Sequence, residues 1–135
     1  AANFTCRWAL LNALAETGRH DEVEREAESA LAMSGRHPVL LGILAASRAA
    51  RGDQPAAEAV HAEVVERART QYLSWSQQAV IAASAGHLEV ARALMLRAVA
   101  DREPGFVFWK MYGWSHFRAD AEGRRILENT GVAKR

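Results

Sequence analysis

The chain of 135 residues has little cysteine, proline or net charge, and each shortage excludes a class of protein. Its one cysteine, Cys6, cannot form an internal disulfide framework or a CxxC site, and we expect it to be a small buried hydrophobe. With 17 Lys and Arg against 16 Asp and Glu, the net charge of +1 gives no broad attraction to nucleic acid or to an anionic membrane. No apolar run approaches the roughly 20 residues of a membrane span. No signal-peptide pattern is visible either, so a cytoplasmic location is expected.

The residues that are present favour helices. Half of the chain is hydrophobic, alanine is abundant, and the three prolines are far apart. Runs of β-branched residues are short, which argues against strands. A chain of this length can form one domain with a substantial core. We therefore predict an all-α protein.

A period of 34 residues separates Gly18, Gly52 and Gly86. After each glycine, apolar residues recur at i, i+4, i+7 and i+8, which is one face of a helix. A second apolar row precedes each glycine, so each unit is predicted to be a helix, a glycine turn and a second helix. Glycine suits this turn because it adopts the left-handed conformation that ends a helix. One pair of helices cannot bury its apolar face alone, so the units are expected to stack.

Capping residues are predicted at the start of the second helices. We expect Asp21 to cap the helix of the first unit and Asp53 that of the second, where Pro55 suits a first helical position. Small residues on the facing sides should let the paired helices approach closely. These residues are Ala45, Ala57, Ala79 and Ala91.

The repeated pattern resembles the tetratricopeptide repeat (TPR) family. The resemblance depends on the period, on the G-x-x-x-x-A turns that begin at Gly52 and Gly86, and on the Ala-Leu or Ala-Val pair late in the second helix. It covers about residues 4–103 as three repeats, at about 4–37, 38–71 and 72–103. The resemblance implies a right-handed α-solenoid with a C-terminal capping segment.

The stretch from Tyr72 onward is also similar to the C-terminal TPR region of bacterial multidomain regulators. In such proteins the repeats follow a nucleotide cyclase, a Ser/Thr kinase or a winged-helix domain. This resemblance implies that the chain is a regulatory or scaffolding part of a larger bacterial protein.

Residues 104–135, which we call the tail, depart from the period of residues 1–103 and are rich in aromatic side chains. Asp120 is expected to cap a short helix here that stops at Gly131. Two roles are open for the tail, because it can cover the apolar end of the stack or serve as a binding platform. Its aromatic residues are Phe106, Phe108, Trp109, Tyr112, Trp114 and Phe117.

The TPR resemblance implies a concave groove along the first helices, where TPR proteins bind extended peptides or helices. The expected groove residues are mostly small or apolar: Thr5, Trp8, Asn12, Glu16, Val39, Gly42, Ala46, Ala49, Leu73, Ser76, Val80 and Ala83. We expect Asn12 to hydrogen-bond a peptide backbone and Trp8 to anchor an apolar side chain. The Lys/Arg/Asn set that grips a carboxylate in some TPR proteins is missing, which argues against a chaperone-tail clamp. The alternative is that Trp8 packs in the core and that the tail or a neighbouring repeat fills the groove.

Motifs for catalysis or cofactor binding are missing from the sequence. It contains no GxGxxG, P-loop, GxSxG or HExxH pattern. His61 and Glu63 match half of the zinc-deaminase pattern, but no PCxxC follows to supply the other ligands. We therefore expect no catalytic residue, no cofactor and no metal. His20 and His87 are expected to be solvated or capping residues of the turns.

Two functions remain as hypotheses. The first is a non-catalytic interaction module whose partner is a protein, a peptide or another domain of the same polypeptide. The second is a sensing domain of a bacterial transcriptional or signalling regulator, with a small molecule or peptide near Trp8 and the tail aromatics. An enzyme that uses His61 with Glu63 has the least support.

Overall fold

The computed structural model describes residues 3–132, and all regular structure in this range is helical. The prediction of an all-α fold is confirmed for this part of the chain. Six helices form three hairpins: α1 (Phe4–Glu16) with α2 (His20–Ser34), α3 (Pro38–Ala50) with α4 (Gln54–Arg67), and α5 (Trp75–Ser84) with α6 (Leu88–Ala100). The tail adds two 3₁₀ turns, Pro104–Phe108 and Tyr112–Trp114, and two short helices, α7 (Ser115–Ala119) and α8 (Ala121–Asn129). Between residues 3 and 132, every helix is too short or too polar to cross a bilayer.

Each hairpin reverses at a glycine in the left-handed region. The φ angle is 76° at Gly18, 84° at Gly52 and 90° at Gly86. The residue after each glycine donates its N–H to a carbonyl of the preceding helix, as Asp53 does to Arg48 at 2.9 Å. This bond satisfies a carbonyl that the helix end would otherwise leave free. As a result α2, α4 and α6 begin 34 residues apart.

The predicted caps form at two positions of three. The carboxylates of Asp53 and Asp120 accept backbone N–H groups three residues ahead, at 3.2 and 2.8 Å, so both predictions are confirmed. The prediction for Asp21 is wrong, because α2 begins one residue earlier, at His20, and has no side-chain cap. Asp21 therefore lies in the first turn of α2, where it pairs with Arg51 at 2.5 Å.

Helix α3 lies at the centre of the fold. It contacts α1, α2, α4 and α5, and every residue from Leu40 to Ser47 is buried. One hydrophobic cluster extends from α1 to α4 and reaches Ile81 of α5. The alanines expected at the close helix contacts are all fully buried, namely Ala45, Ala57, Ala79 and Ala91. A second cluster holds most of the buried residues of α5 and α6.

Two residues depart from the apolar pattern in opposite ways. Arg48 stands at a core position, and its guanidinium is satisfied by two bonds to Glu24, at 2.8 and 3.1 Å, and one to the carbonyl of Ala56 at 3.2 Å. It thereby joins α2, α3 and α4. The prediction of a buried Cys6 is wrong, because the first residues of α1 are all exposed.

Glu103 ties the end of the third hairpin to the start of α5. Its carboxylate accepts the N–H groups of Trp75 and Ser76, at 2.7 and 2.9 Å. The hydroxyls of Tyr72 and Ser74 donate to the same group at 2.9 and 3.1 Å. Burial by itself would raise the pKa of Glu103, but the two N–H groups and the hydroxyls outweigh burial and lower the pKa. An ionised carboxylate is also favoured at a helix N-terminus by the helix dipole.

Replacing Gly86 with valine should lower the free energy of unfolding by about 1–3 kcal/mol, because a β-branched residue resists positive φ. The cost is conformational, since the nearest atom to a Cβ at Gly86 is Nε2 of Gln54 at an ordinary 3.6 Å. Urea unfolding followed by circular dichroism measures the change. Gly86→Asn is the matched control and should cost less, because asparagine tolerates the left-handed region. Equal stability of the valine variant and the wild type would contradict this prediction.

Glu103→Gln should lower the free energy of unfolding at pH 7 by about 1–2 kcal/mol, because charge-assisted hydrogen bonds are lost. The pKa of Glu103 is lowered in the folded protein. Its stabilisation is therefore present above the unfolded pKa of about 4.3 and disappears as the pH falls through the folded pKa. The difference between variant and wild type should shrink from about pH 5 to about pH 3.

Urea unfolding at both pH values tests the sign of this dependence. Glu66→Gln is the control, because its side chain is 73% exposed and its nearest basic group is Arg69 at 3.6 Å. It should leave stability nearly unchanged at either pH. A difference for Glu103→Gln that is constant with pH would show that the charge is not involved.

Candidate functional site

The tail crosses the face that α1, α3 and α5 form together. Its 3₁₀ turn Tyr112–Trp114 contacts all three helices. Gly113 lies directly on the backbone of α3, where a Cβ would stand 3.4 Å from the carbonyl carbon of Gly42 and 3.6 Å from the nitrogen of Ile43. A side chain larger than a methyl group would have no room between them. The tail therefore covers the middle of the expected groove.

Asn12 holds the tail by its backbone. Its Oδ1 accepts the N–H of Tyr112 at 3.2 Å, and its Nδ2 donates to the carbonyl of Trp8 at 3.1 Å. Asn12 is only 7% exposed, so both halves of its amide are used in a nearly dry environment. The sequence predicts that Asn12 binds a peptide backbone, and the backbone bound in this structure belongs to the chain itself.

The other expected groove residues divide by exposure. Thr5, Trp8 and Val39 line an open pocket together with Asn12. Glu16 is exposed and Ala49 is half-buried. The remaining members are buried. They are Gly42, Ala46, Leu73, Ser76, Val80 and Ala83.

A pocket of about 260 Å³ stays open beside the tail, and we call it the Trp8 pocket. Helices α1, α3 and α5 form one side of it and the tail forms the other. The rings of Trp8 and Phe108 meet edge to face across it, with centroids 5.6 Å apart. Its lining is mostly aromatic or aliphatic: Phe4, Thr5, Trp8, Asn12, Val39, Ile43, Gln77, Phe108, Met111, Gly113 and Trp114.

Gln77 brings an unsatisfied polar atom to the lining of this pocket. Its Oε1 is buried and has no hydrogen-bond partner among residues 3–132. The side chain has room because residue 42 is glycine, and a Cβ there would lie 2.9 Å from Oε1. A buried acceptor without a donor costs about 1–3 kcal/mol. A ligand donor that reached this oxygen would recover part of that cost.

A second cavity of about 520 Å³ adjoins the Trp8 pocket, and we call it the Tyr72 pocket. The two cavities share lining residues, among them Val39 and Phe108. Tyr72 on its rim is 73% exposed, and Phe108 and Val107 are also exposed. Large apolar side chains gathered on a surface mark sites of interaction.

The tail aromatics also cover the third hairpin. Four of them are buried in one cluster with Met95 and Ala98 of α6 and with residues of α5. These four are Phe106, Trp109, Trp114 and Phe117. The tail thus packs on the third hairpin and also forms a wall of the Trp8 pocket.

Basic residues of the tail are engaged within the tail. Nη1 of Arg118 donates to the carbonyls of Trp109 and Met111, at 3.1 and 2.8 Å. The guanidinium of Arg124 and the ammonium of Lys110 lie over the Trp109 ring, at 4.7 and 5.5 Å from its centroid. These contacts give Arg118, Arg124 and Lys110 a structural role.

The pair expected for an enzyme does not assemble. Glu63 pairs with Arg36 through two bonds of 2.6 and 2.7 Å, and this pairing lowers the pKa of Glu63. His61 instead lies beside Glu58 and His87. His87 stands at the N-cap position of α6 with its side chain 41% exposed, and the sequence does not predict that its Nε2 lies 2.5 Å from Glu58 Oε1.

Comparison with protein-family models, curated proteins and solved structures finds no match to this chain.

Replacing Asn12 with alanine should lower the free energy of unfolding by about 1–3 kcal/mol, because the N–H of Tyr112 loses its acceptor. The tail should also detach more often, which limited proteolysis detects as faster cleavage between residues 104 and 120. Asn129→Ala is the control, because Asn129 is exposed on α8. Equal cleavage rates for Asn12→Ala and the control would contradict the role given to Asn12.

Proposed function

We propose that this protein is a non-catalytic protein-interaction module that binds an extended apolar peptide at the Trp8 pocket. We further propose that its three hairpins stack as a right-handed solenoid of TPR-like repeats, capped by the tail. Three observations support this arrangement. The second helices of the hairpins begin 34 residues apart, each hairpin reverses at a left-handed glycine, and α3 lies at the centre of the fold. The partner is a protein or peptide, including another domain of the same polypeptide. The role is regulatory or scaffolding, in the cytoplasm and within a larger bacterial protein.

The tail provides the observation that carries the proposal. A short segment between the tail's first 3₁₀ turn and α7, Met111–Trp114, lies across α1, α3 and α5, and its last three residues form a single 3₁₀ turn. Asn12 accepts the backbone N–H of Tyr112 in this segment, and the apolar side chains of the segment pack on the helices. The surface therefore has the backbone acceptor and the apolar floor that peptide recognition needs. The Trp8 pocket is the part of that surface that the tail leaves open.

The chemistry of the Trp8 pocket defines the peptide. Trp8, Phe4 and Phe108 offer rigid aromatic area, and such residues contribute most of the binding energy at interfaces. The polar groups are neutral, from Thr5 and the amides, so no charged side chain is favoured in the pocket. An aromatic or branched aliphatic anchor in an otherwise extended peptide fits these properties.

Selection of displayed random peptides on the intact protein tests the proposal. Selected peptides should carry an apolar anchor, and Trp8→Ala should weaken their binding at least about tenfold in fluorescence anisotropy. Trp75→Ala is the matched control. Trp75 lies beneath Arg97 and bonds to Asp101, away from the pocket, so its loss should change affinity less than about twofold. Peptides whose affinity does not depend on Trp8 would overturn the proposal.

A sensing domain for a small molecule is the second candidate, and the unsatisfied Oε1 of Gln77 favours it. A mostly apolar pocket with a few polar groups is typical of small-molecule sites. Thermal shift against a panel of metabolites separates the two functions. A compound that stabilises the wild type but not Trp8→Ala or Gln77→Leu, together with a failure to select peptides, would favour sensing.

A further inference from the structure

A cluster of two imidazoles and one carboxylate lies outside the groove, where the second hairpin meets the third. Glu58 and His61 are three residues apart on α4, and His87 precedes the first turn of α6. One ligand atom from each lies within 4.8 Å of the other two. We propose that Glu58, His61 and His87 bind a divalent transition-metal ion, with Zn²⁺ as the best match.

The distances fit an ion at the centre of the three groups. Glu58 Oε1 is 2.5 Å from His87 Nε2, and Glu58 Oε2 is 3.6 Å from His61 Nδ1. Ligand atoms around a tetrahedral Zn²⁺ lie about 3.4 Å apart, given metal–ligand distances of about 2.1 Å. Shifts of about 1 Å, which rotation of these side chains supplies, would bring all three atoms to that spacing. Two imidazoles and one carboxylate suit Zn²⁺, whereas Ca²⁺ and Mg²⁺ prefer oxygen ligands alone.

His61 is the member that ordinary packing does not explain. In the 34-residue register its position corresponds to Ala27 and Met95, which are both fully buried and apolar. The His61 side chain is only 12% exposed, and its Nε2 has no hydrogen-bond partner in the described part of the chain. Its Nδ1 stands 3.6 Å from Glu58, which is too far for a hydrogen bond. A metal bond at Nδ1, the ring nitrogen near the Glu58 carboxylate, would give this buried polar ring a strong partner.

The rest of the cluster is open to an ion. The ring planes of His61 and His87 are tilted by 30°, with centroids 4.5 Å apart, and each ring has a nitrogen near the Glu58 carboxylate. The recorded partners of the Glu58 carboxylate are these two imidazoles, and among residues 3–132 neither Arg nor Lys pairs with it. The His87 and Glu58 side chains are 41% and 48% exposed, which leaves a path for the ion and for a water ligand.

Such a site would hold the second and third hairpins together. Two ligands belong to α4 and the third to the turn before α6, so the bound ion would cross-link the second hairpin to the third. An ion that binds the folded state and not the unfolded chain raises the melting temperature, and the rise grows with the logarithm of its concentration divided by Kd.

Calorimetric titration of the intact, tag-free protein with Zn²⁺ alone tests the site. One ion should bind per chain, and His87→Gln and Glu58→Gln should each weaken binding at least about tenfold. Both substitutions are at half-exposed positions, and circular dichroism verifies that each variant is folded. His37→Gln is the control, because His37 is an exposed histidine at the start of α3 and should leave the affinity unchanged within about twofold.

Two further results would support or refute the proposal. Saturating Zn²⁺ should raise the melting temperature of the wild type and of His37→Gln, but not that of His87→Gln. Co²⁺ should show a visible ligand-field spectrum that is lost in His87→Gln. The proposal is overturned if Zn²⁺ does not bind saturably, or if His87→Gln and Glu58→Gln bind it as tightly as the wild type.

Discussion

The carboxylate of Glu103 fixes where the tail begins. It accepts the first N–H groups of α5 and two hydroxyls, so the end of the third hairpin is tied to the start of its own first helix. Pro104 is the next residue, and because proline has no backbone N–H it disfavours a return to the α-helix that ended at Ala100. The chain leaves from the N-terminal end of α5, beside the face formed by α1, α3 and α5. The position of the tail across that face, and therefore the shape of the Trp8 pocket, depends on this anchor.

Close contact between the backbones of the tail and α3 then determines how much of the groove stays open. Gly113 rests on α3 at Gly42, and Asn12 of α1 takes the N–H of Tyr112, so the tail lies low across the middle of the face. A tail with larger side chains at this crossing would stand further out and leave a deeper channel beneath it. In this structure the tail fills the centre of the groove, and the groove stays open at the side where the rings of Trp8 and Phe108 meet. This geometry explains why the open surface consists of two adjoining pockets and not of a long continuous groove.

Features that depend on local spacing could be predicted from the sequence. The all-α class, the caps at Asp53 and Asp120 and the positions of the glycine turns follow from periodicity and from short-range hydrogen bonds. The prediction that Asp21 caps α2 is wrong because several polar residues follow Gly18, and spacing alone does not show at which of these residues the helix begins. The bond from Tyr112 to Asn12 joins residues 100 positions apart, and no local pattern indicates it. No local pattern indicates the close approach of Gly123 to Phe117 either, where a Cβ would lie 2.5 Å from the Phe117 carbonyl oxygen.

Both candidate sites lie where hairpins meet, and the repeat itself gives the physical reason. Within a hairpin, the facing positions must be small or apolar so that the helices can approach, and these positions are filled by residues such as Ala57 and Ala91. Polar side chains also meet where one hairpin packs on the next, as Arg48 of α3 does with Glu24 of α2. Arg48 at one junction is fully satisfied by Glu24 and a carbonyl, so it needs no ligand. His61 at the next junction occupies the same kind of position without such partners, and that contrast is why it points to a bound ion while Arg48 does not.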